Sequence, residues 1–262
     1  MTLRIGVFGA GGRMGSTVCR AVDDDPALEL VAAVDPHHAG LDMRQVTGCD
    51  QPFLVSADGQ AFLDAKADVV IDFTHLDAAR TNLLWLAQNG IHAVAGTTGF
   101  SDTDLDAFRA GFSRSNCVIA PNFAIGAVLM MRFAELAAPY FETAEIVELH
   151  HDAKLDAPSG TAMLTAERMA QASADWAADP TRTEILPGAR GGKGPADIRV
   201  HSLRLRGMVA HQEVILGTTG QTLTLRHDSY DRDSFMPGVI LATKAVMDRP
   251  GVTIGLDALL DL

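Results

Sequence analysis

The apolar run Ile5-Gly6-Val7-Phe8 passes directly into Gly9-Ala10-Gly11-Gly12-Arg13-Met14-Gly15 and then into a helix-forming segment from about Gly15 to Val22. A buried strand that turns on glycine straight into a helix opens a βαβ unit, and the same rhythm recurs along the first half of the chain. Asp23-Asp24-Asp25-Pro26 breaks the helix, and Leu28 to Val34 supplies a second strand. Val69 to Phe73 gives a third, followed by a helix through Leu83, Leu84 and Leu86 that stops at Asn89-Gly90. Ile91 to Ala95 and Val118 to Ala120 read as two more strands, with a helix from Ser101 between them. Ser101 has the chemistry of an N-cap, and Asp102 and Asp104 suit the positive end of the helix dipole. Strands alternating with helices imply a parallel sheet covered on both faces, the doubly wound α/β arrangement.

The rhythm changes near residue 124. A helix over Val128–Ala138 leads to a strand over Glu145–Leu149, and a helix from Ser159 to about Ala172 follows. The segment from Ser173 to Asp197 is rich in proline and glycine and reads as loop. Strand-like runs at Val200–Leu205, Glu213–Leu216 and Thr222–Arg226 come next, the last two joined by a hairpin through Gly217-Thr218-Thr219-Gly220. This half is expected to be a smaller α+β domain with a mixed, mostly antiparallel sheet and helices on one side. The expected division is residues 1–123 for a first domain, rejoined by a C-terminal helix within 236–262, and residues 124–235 for a second. No internal repeat or low-complexity tract interrupts either half.

Lys and Arg number 21 against 33 Asp and Glu, a net charge of −12, which argues against a surface that holds nucleic-acid phosphates. That total does not exclude a local basic pocket for a small anion. Cys19, Cys49 and Cys117 form an odd set without zinc or C-x-x-C spacing, consistent with buried thiols in a reduced compartment. No signal-peptide pattern opens the chain, and the most apolar helical stretch, Ala127–Ala138, carries Arg132 and Glu135 and is too short to span a bilayer. A cytoplasmic protein with no membrane or nucleic-acid partner is expected.

A pyrophosphate at the first glycine turn would meet backbone N–H groups and the positive end of a helix with no Cβ in the way. The G-x-G-x-x-G pattern is not met, because Met14 takes the third position and the glycine falls at Gly15. The second strand ends at Asp35, where a carboxylate accepts hydrogen bonds from the adenosine ribose and repels a 2′-phosphate. Pro36 follows where an NADP-preferring chain would place arginine, while His37 and His38 offset part of that bias. These residues define a Rossmann-type domain for which NADH is preferred and NADPH is admitted. Asp35 as an ordinary strand-end turn residue is the plainer alternative. Gly96-Thr97-Thr98-Gly99 and Ala120-Pro121-Asn122-Phe123 lie at two further strand ends, where open α/β sheets bind ligands.

The stretch Glu148-Leu149-His150-His151-Asp152-Ala153-Lys154-Leu155-Asp156-Ala157-Pro158-Ser159-Gly160-Thr161-Ala162 leaves a strand, crosses a polar loop and starts a helix. Ser159, Gly160 and Thr161 place N–H groups at that helix start, and His150, His151 and Lys154 gather acid–base groups and positive charge beside it. A carboxylate held by the helix start and Lys154, next to a histidine that moves a proton, is the chemistry such a loop can perform. A surface histidine doublet and a solvated lysine are the plainer readings. Metal is not expected, since adjacent residues of an extended chain point to opposite faces.

The run H-H-x-x-K-x-D-A-P-S-G-T-A resembles the signature of the dihydrodipicolinate reductases, now called 4-hydroxy-tetrahydrodipicolinate reductases, of bacterial lysine and diaminopimelate synthesis. The opening G-A-G-G-R-M-G, the G-T-T at 96–98 and the P-N-F at 121–123 resemble that family's cofactor loops in the same order, so the likeness covers nearly the whole chain. The resemblance implies His150 as proton donor and acceptor and Lys154 as a proton donor that also holds substrate. It implies substrate contacts from His151, Ser159, Gly160, Thr161 and, further on, Arg232. Gly9, Ala10, Gly11, Gly12, Arg13, Met14, Asp35, Gly96, Thr97, Thr98, Ala120, Pro121, Asn122 and Phe123 would bind the cofactor. A small cyclic dicarboxylate imine as substrate, closure of the two domains around it, and a homotetramer built through the second domain's sheet are implied in the same way.

Asp152 and Ala153 stand where relatives often carry basic or polar residues. Arg204 to Glu213 departs from the usual R-G-G-x-x-V-G-E-H and reads as structural rather than catalytic. Two competing readings remain at this point. A homoserine dehydrogenase would share the nucleotide half without the His-His-x-x-Lys loop. A nucleotide-sensing module would bind without turnover.

Overall fold

A computed structural model describes residues 2–260 of the chain. The chain divides into two compact units, one formed by the residues up to Ile125 together with those from Phe235 onward, the other by Gly126–Ser234.

The first unit is built on a six-stranded, wholly parallel sheet. Its strands are β1 (Leu3–Phe8), β2 (Leu28–Val34), β3 (Val69–Asp72), β4 (His92–Ala95), β5 (Cys117–Ile119) and, numbered in chain order, β11 (Val252–Ile254). Their lateral order is β2-β1-β3-β4-β5-β11. From β1 the chain first moves outward to β2 and then crosses back to β3, which leaves a topological switch point between β1 and β3 at their carboxyl ends. The helices are α1 (Arg13–Asp23), the short α2 (Met43–Val46) and α3 (Gln60–Asp64), α4 (Leu76–Asn89), α5 (Asp102–Gly111) and α8 (Met236–Ala245). All four residues of β3 are buried, as a strand with helices on both faces requires. Phe62, Leu83, Leu86, Phe108 and Phe112 pack with Val70, Ala93 and Cys117 into one core on a single side of the sheet.

Local chemistry sets the helix limits. Ser101 and Asp104 form a reciprocal capping box at the start of α5, and α4 stops at Gly90, which adopts the left-handed conformation (φ 69°) that glycine takes without a Cβ clash. The C-terminal segment requires a correction. The helix expected within 236–262 fills only the first part of that segment, since α8 ends at Ala245. A single 3₁₀ turn over Val246–Asp248 follows, and the chain then extends into β11. Arg249-Pro250-Gly251 removes a backbone donor and supplies a positive φ (77° at Gly251), which breaks the helix, and the β-branched Val252-Thr253-Ile254 joins the sheet edge beside β5. Residues 261 and 262 of that segment lie outside the described residues. Lys244 of α8 donates to Asp25 at 2.7 Å, within this unit.

The second unit contains α6 (Ile125–Ala137, from Gly126), β6 (Thr143–His150), α7 (Gly160–Ala172), β7 (Gly192–Lys193), β8 (Arg199–Arg204), β9 (Ala210–Thr218) and β10 (Gln221–Ser229). Its five strands lie in the order β10-β9-β6-β8-β7. Only β6 and β8 run parallel; the other pairs are antiparallel, which makes the sheet mixed and mostly antiparallel. Gln221 pairs with Thr218, so the β9–β10 hairpin turns on Thr219-Gly220, with Gly220 at φ 82°. Met130 and Ala134 of α6 and Ala162, Ala166 and Met169 of α7 cover Ile146, Val200, Val214 and Leu216 on one face of the sheet. Alternation along β6 therefore puts Ile146, Glu148 and His150 on the helix-covered face and Val147 on the other.

Candidate active site

In the first unit, β1 delivers the chain into the glycine turn at the switch point. Gly9 sits at φ 70°, and its N–H, with that of Ala10, donates to the Val34 carbonyl at 2.8 and 3.2 Å. Gly12 is the N-cap of α1 and offers no side chain of its own, which leaves the helix start open to an anion. A Cβ on Gly15 would stand 2.0 Å from the Gly9 carbonyl oxygen. The shifted spacing is thereby explained: Gly15 does the work of the third glycine, letting α1 lie tight against the turn. Arg13 and Met14 occupy the first turn of α1, with Arg13 exposed.

Asp35 follows β2 and is only 7% exposed. Its carboxylate accepts from the Gly11 N–H at 2.9 Å and the His37 N–H at 3.0 Å, and His38 Nδ1 lies 3.1 Å away. Burial pushes its pKa up, but His38 and the two backbone donors outweigh it and hold the carboxyl below its ordinary value. A charged acceptor is therefore fixed beside the glycine turn. A cavity of about 510 Å³ opens here, lined among others by Gly9, Gly12, Asp35, His37, Thr74 and Trp85.

Sequence reasoning singled out neither Thr74 nor the carboxylate that holds it. Asp72, fully buried at the end of β3, accepts from the Thr74 N–H and hydroxyl at 2.7 Å each and from Asn82 at 2.8 Å. Thr97 then donates to the Thr74 carbonyl at 2.7 Å, and the Gly96 N–H donates to the Asp72 carbonyl at 3.0 Å. Thr98 is exposed beyond them. Ala120 donates to Ala95 at 3.0 Å, Pro121 is exposed, Asn122 Oδ1 accepts from the Ala124 N–H at 2.9 Å, and Phe123 is buried against Phe73 with ring centroids 5.6 Å apart. Residues 9–14, 35, 96–98 and 120–123 thus lie along one rim of the sheet, the carboxyl ends of β1, β2, β4 and β5. These features fit a dinucleotide: a turn with glycine at 9, 11 and 12, an open helix start and a fixed ribose acceptor.

In the second unit, His150 is the last residue of β6 and its Nδ1 lies 2.5 Å from Glu148 Oε2. His151 begins the loop and is exposed. Lys154 is held by both oxygens of Asp156 at 2.8 Å. Ser159 is the N-cap of α7: its hydroxyl accepts from the Ala162 N–H at 3.2 Å, and its own N–H donates to Glu148 Oε1 at 3.2 Å. Gly160 and Thr161 form the first turn beyond this cap, and Thr165 Oγ1 donates to the Thr161 carbonyl at 2.7 Å. Burial lowers the His150 pKa. Glu148 pulls it back up without fully compensating, and Lys154 and Arg204 push it down further. His150 is accordingly neutral near pH 7, with one ring nitrogen free to exchange a proton.

Two residues of this site lay outside the sequence expectation. Glu148 has no exposed surface and receives a forked pair of hydrogen bonds from Arg204, 2.9 Å to Oε2 and 2.8 Å to Oε1. Arg204 belongs to the stretch read as structural, yet it meets the carboxylate that touches His150. Arg206 of the same stretch pairs with Asp152 at 2.9 Å, so the unusual acidic residue in the loop is offset by an arginine from the unusual segment. The signal was present as alternation: an acidic residue two before a loop histidine, on the face its strand buries. Arg232 lies exposed in a 3₁₀ turn over Arg232–Phe235, and among the described residues no hydrogen bond or ion pair joins it to the loop. Its substrate role therefore rests on the resemblance alone.

A parallel sheet with a glycine-turn cradle, joined to a second unit bearing a histidine–lysine loop, defines a nicotinamide-dinucleotide oxidoreductase of the two-domain kind. Family models for the N-terminus and C-terminus of dihydrodipicolinate reductase match residues 3–123 and 126–260. The 4-hydroxy-tetrahydrodipicolinate reductase of Nocardia farcinica is 49% identical over the whole of both chains. That of Cutibacterium acnes is 48% identical over 99% of each. The structure of a dipicolinate-bound dihydrodipicolinate reductase from Paenisporosarcina sp. TG-14 superposes with a TM-score of 0.85 at 38% identity, covering 98% of this chain and 99% of that one. The chain belongs to the dihydrodipicolinate reductase family. GenD2 from gentamicin A biosynthesis, in complex with NAD, shares the fold at 15% identity and a TM-score of 0.65 over 99% of this chain and 90% of that one.

Proposed function

We propose that this chain reduces 4-hydroxy-tetrahydrodipicolinate to tetrahydrodipicolinate, consuming NAD(P)H and one proton and releasing water and NAD(P)⁺, in diaminopimelate and lysine biosynthesis. The observation that carries the reading is the loop from His150 to Thr161. It gathers a histidine able to take up and pass on a proton, a lysine and a helix start, which together match the needs of a dianionic ring that must gain a proton.

The residues of the first-unit rim, from Gly9–Met14 and Asp35 to Gly96–Thr98 and Ala120–Phe123, would hold the dinucleotide. When bound, its reduced nicotinamide supplies the hydride. Lys154 exchanges Asp156 for a substrate carboxylate, and the helix start at Ser159, Gly160 and Thr161, with His151 and Arg232, takes the remaining negative charge. His150, once it has taken up a proton on its free ring nitrogen, gives the ring the proton that it needs after reduction, with Lys154 as the second donor in the loop.

The charged, buried Asp35 supports a preference for NADH, since it accepts from ribose hydroxyls and repels a 2′-phosphate; His37 and His38 keep NADPH usable. We place the working enzyme in the cytoplasm as a homotetramer. Three buried, unpaired cysteines support a reducing compartment, and no described helix is long and apolar enough to cross a membrane. The face of the mixed sheet away from α6 and α7 supports the assembly. It presents partly exposed Val147, Leu203 and Ile215 beside a cavity of about 640 Å³.

The test is a coupled assay with pyruvate, aspartate semialdehyde and a dihydrodipicolinate synthase, followed by reduced-nicotinamide absorbance with NADH and then with NADPH. Absorbance loss that requires both proteins is the expected result. Absence of consumption with NADH still bound would discard the substrate and leave a nucleotide-sensing module.

A further inference from the structure

We propose that Glu148 is a positioning residue: braced by Arg204, it holds His150 with the proton on Nδ1 and Nε2 as the nitrogen that exchanges with substrate. The proposal rests on the reading of His150 as the proton-moving group.

The geometry begins in the strand register. Glu148 and His150 lie two apart on β6, on the same face, and the parallel pairing with β8 sets Ser202 opposite Glu148 and Arg204 opposite His150. A carboxylate with no exposed surface is costly unless its lone pairs are taken. Here Arg204 takes two of them in a fork, the Ser159 N–H a third at 3.2 Å, and His150 Nδ1 a fourth at 2.5 Å, with the Ser202 hydroxyl also bonded. Burial pushes the Glu148 pKa up, but Arg204, Ser202 and His150 bring it below the ordinary carboxylate value. An ionised carboxylate only accepts, so the proton between it and Nδ1 belongs to the imidazole. The free nitrogen of a neutral His150 is therefore Nε2.

The same pair reaches the other parts of the loop. Arg204 donates to the Asp156 carbonyl at 2.7 Å, and Asp156 holds Lys154. Through Ser159 the carboxylate is also tied to the start of α7. One buried charge pair thus sets the tautomer of the histidine, the base of the lysine's partner and the edge of the helix start. The charged groups that face His150 are Glu148 on its own strand, Lys154 in the loop that follows and Arg204 from β8. Only Glu148 among them favours the imidazolium.

A purely structural ion pair would stabilise the strand ends and leave the imidazole indifferent. The two roles separate by nitrogen-15 NMR of the histidine side chains in the full-length protein without substrate, with His150 assigned from the His150→Gln spectrum. The wild-type protein should show the Nδ1–H tautomer at neutral pH. An Nε2–H tautomer would overturn the proposal, and this arm needs no variant of Glu148 to fold. In Glu148→Gln, loss of the neighbouring negative charge should lower the His150 pKa by roughly one unit, the low end for a close opposite charge. Turnover should fall roughly 10²-fold, the low end for a positioned proton-transfer group, with KM nearly unchanged and the alkaline limb of kcat, where the donating imidazolium is lost, displaced to lower pH by the same unit. Arg204→Lys, which keeps a charge but cannot fork, should fall between wild type and Glu148→Gln. A Glu148→Gln enzyme whose tautomer and alkaline limb stay in place would contradict the assignment even if its stability fell. Turnover of the wild type in the coupled assay is the independent control. If it is absent the reductase reading fails, while the NMR result still decides what Glu148 does to His150.

Discussion

The turn between β1 and α1 and the loop between β6 and α7 both carry the chain from the carboxyl end of a strand to a helix start, but they are made of different materials. The first is glycine and backbone: a positive φ at Gly9, an uncapped start at Gly12, and Gly15 against a carbonyl. Its one ionised partner, Asp35, is tied to the turn by backbone donors. The second is held by charge: Glu148 buried beneath Arg204, His150 and the Ser159 N–H, with Lys154 on Asp156. A surface that binds through backbone must keep its shape, so it fails when atoms are added. A loop that moves protons must keep its balance of charge, so it fails when charges are removed or when pH changes. Each region can therefore be damaged in a way that leaves the other intact.

The largest effect is expected from charge removal in the loop. Lys154→Ala should lower turnover roughly 10²- to 10⁴-fold in the coupled assay, the range for a positioned proton-transfer group. NADH affinity, read by fluorescence titration, should stay the same. Adding one carbon to the turn is the complementary damage. Gly15→Ala brings a Cβ to 2.0 Å from the Gly9 oxygen. It should cost about 1–3 kcal/mol in urea unfolding, the usual range for overpacking, and should weaken NADH binding as the turn opens. Unchanged stability would mean that α1 does not need its close approach.

Asp35→Asn sharpens the same contrast. It keeps the shape and removes the charge, so NADH should bind roughly tenfold more weakly, about 1.5 kcal/mol for hydrogen bonds to a charged acceptor. NADPH should lose less, and an unchanged ratio of the two affinities would remove the ribose role from Asp35. The smallest effect is a pH dependence of stability. His150 in the folded protein lies below its ordinary 6.5, so the unfolded chain binds more protons between the two values. Stability should therefore fall as pH drops from about 6.5 through the folded value. Glu148 lies below its ordinary 4.5, and its contribution is complete above that value and lost as pH falls through the folded one. Thermal melts of wild type and His150→Gln between pH 7 and 4.5 should differ in slope only over the first window. Parallel curves would show that the folded and unfolded histidines titrate alike.

What was legible from residues alone follows the same division. The five strands up to β5, the capping at Ser101 and the stop at Gly90 are written in local pattern, because buried parallel strands are continuous apolar runs and helix ends have their own residue chemistry. The strand β11 was not legible. Val252–Ile254 is short and only partly buried, and it follows a helix whose end is set by Pro250-Gly251, so periodicity offered no template for it. At the site, the histidines, Lys154 and the helix start were visible because they sit in one stretch of sequence. The partner that orders them was less so, because Arg204 is fifty-four residues from His150 by number and meets it only through the β6–β8 register. Glu148 stood in plain view two residues before His150, but its role depends on which face of β6 is covered. That is a property of tertiary packing.

The division of labour between the two regions is tested most directly by one paired measurement on His150→Gln: NADH affinity by titration and turnover in the coupled assay, from the same preparation. The account expects affinity equal to wild type and turnover reduced by roughly 10²-fold or more. Turnover near the wild-type level would contradict the assignment of the chemistry to the loop, and loss of NADH binding would contradict the separation of the two regions.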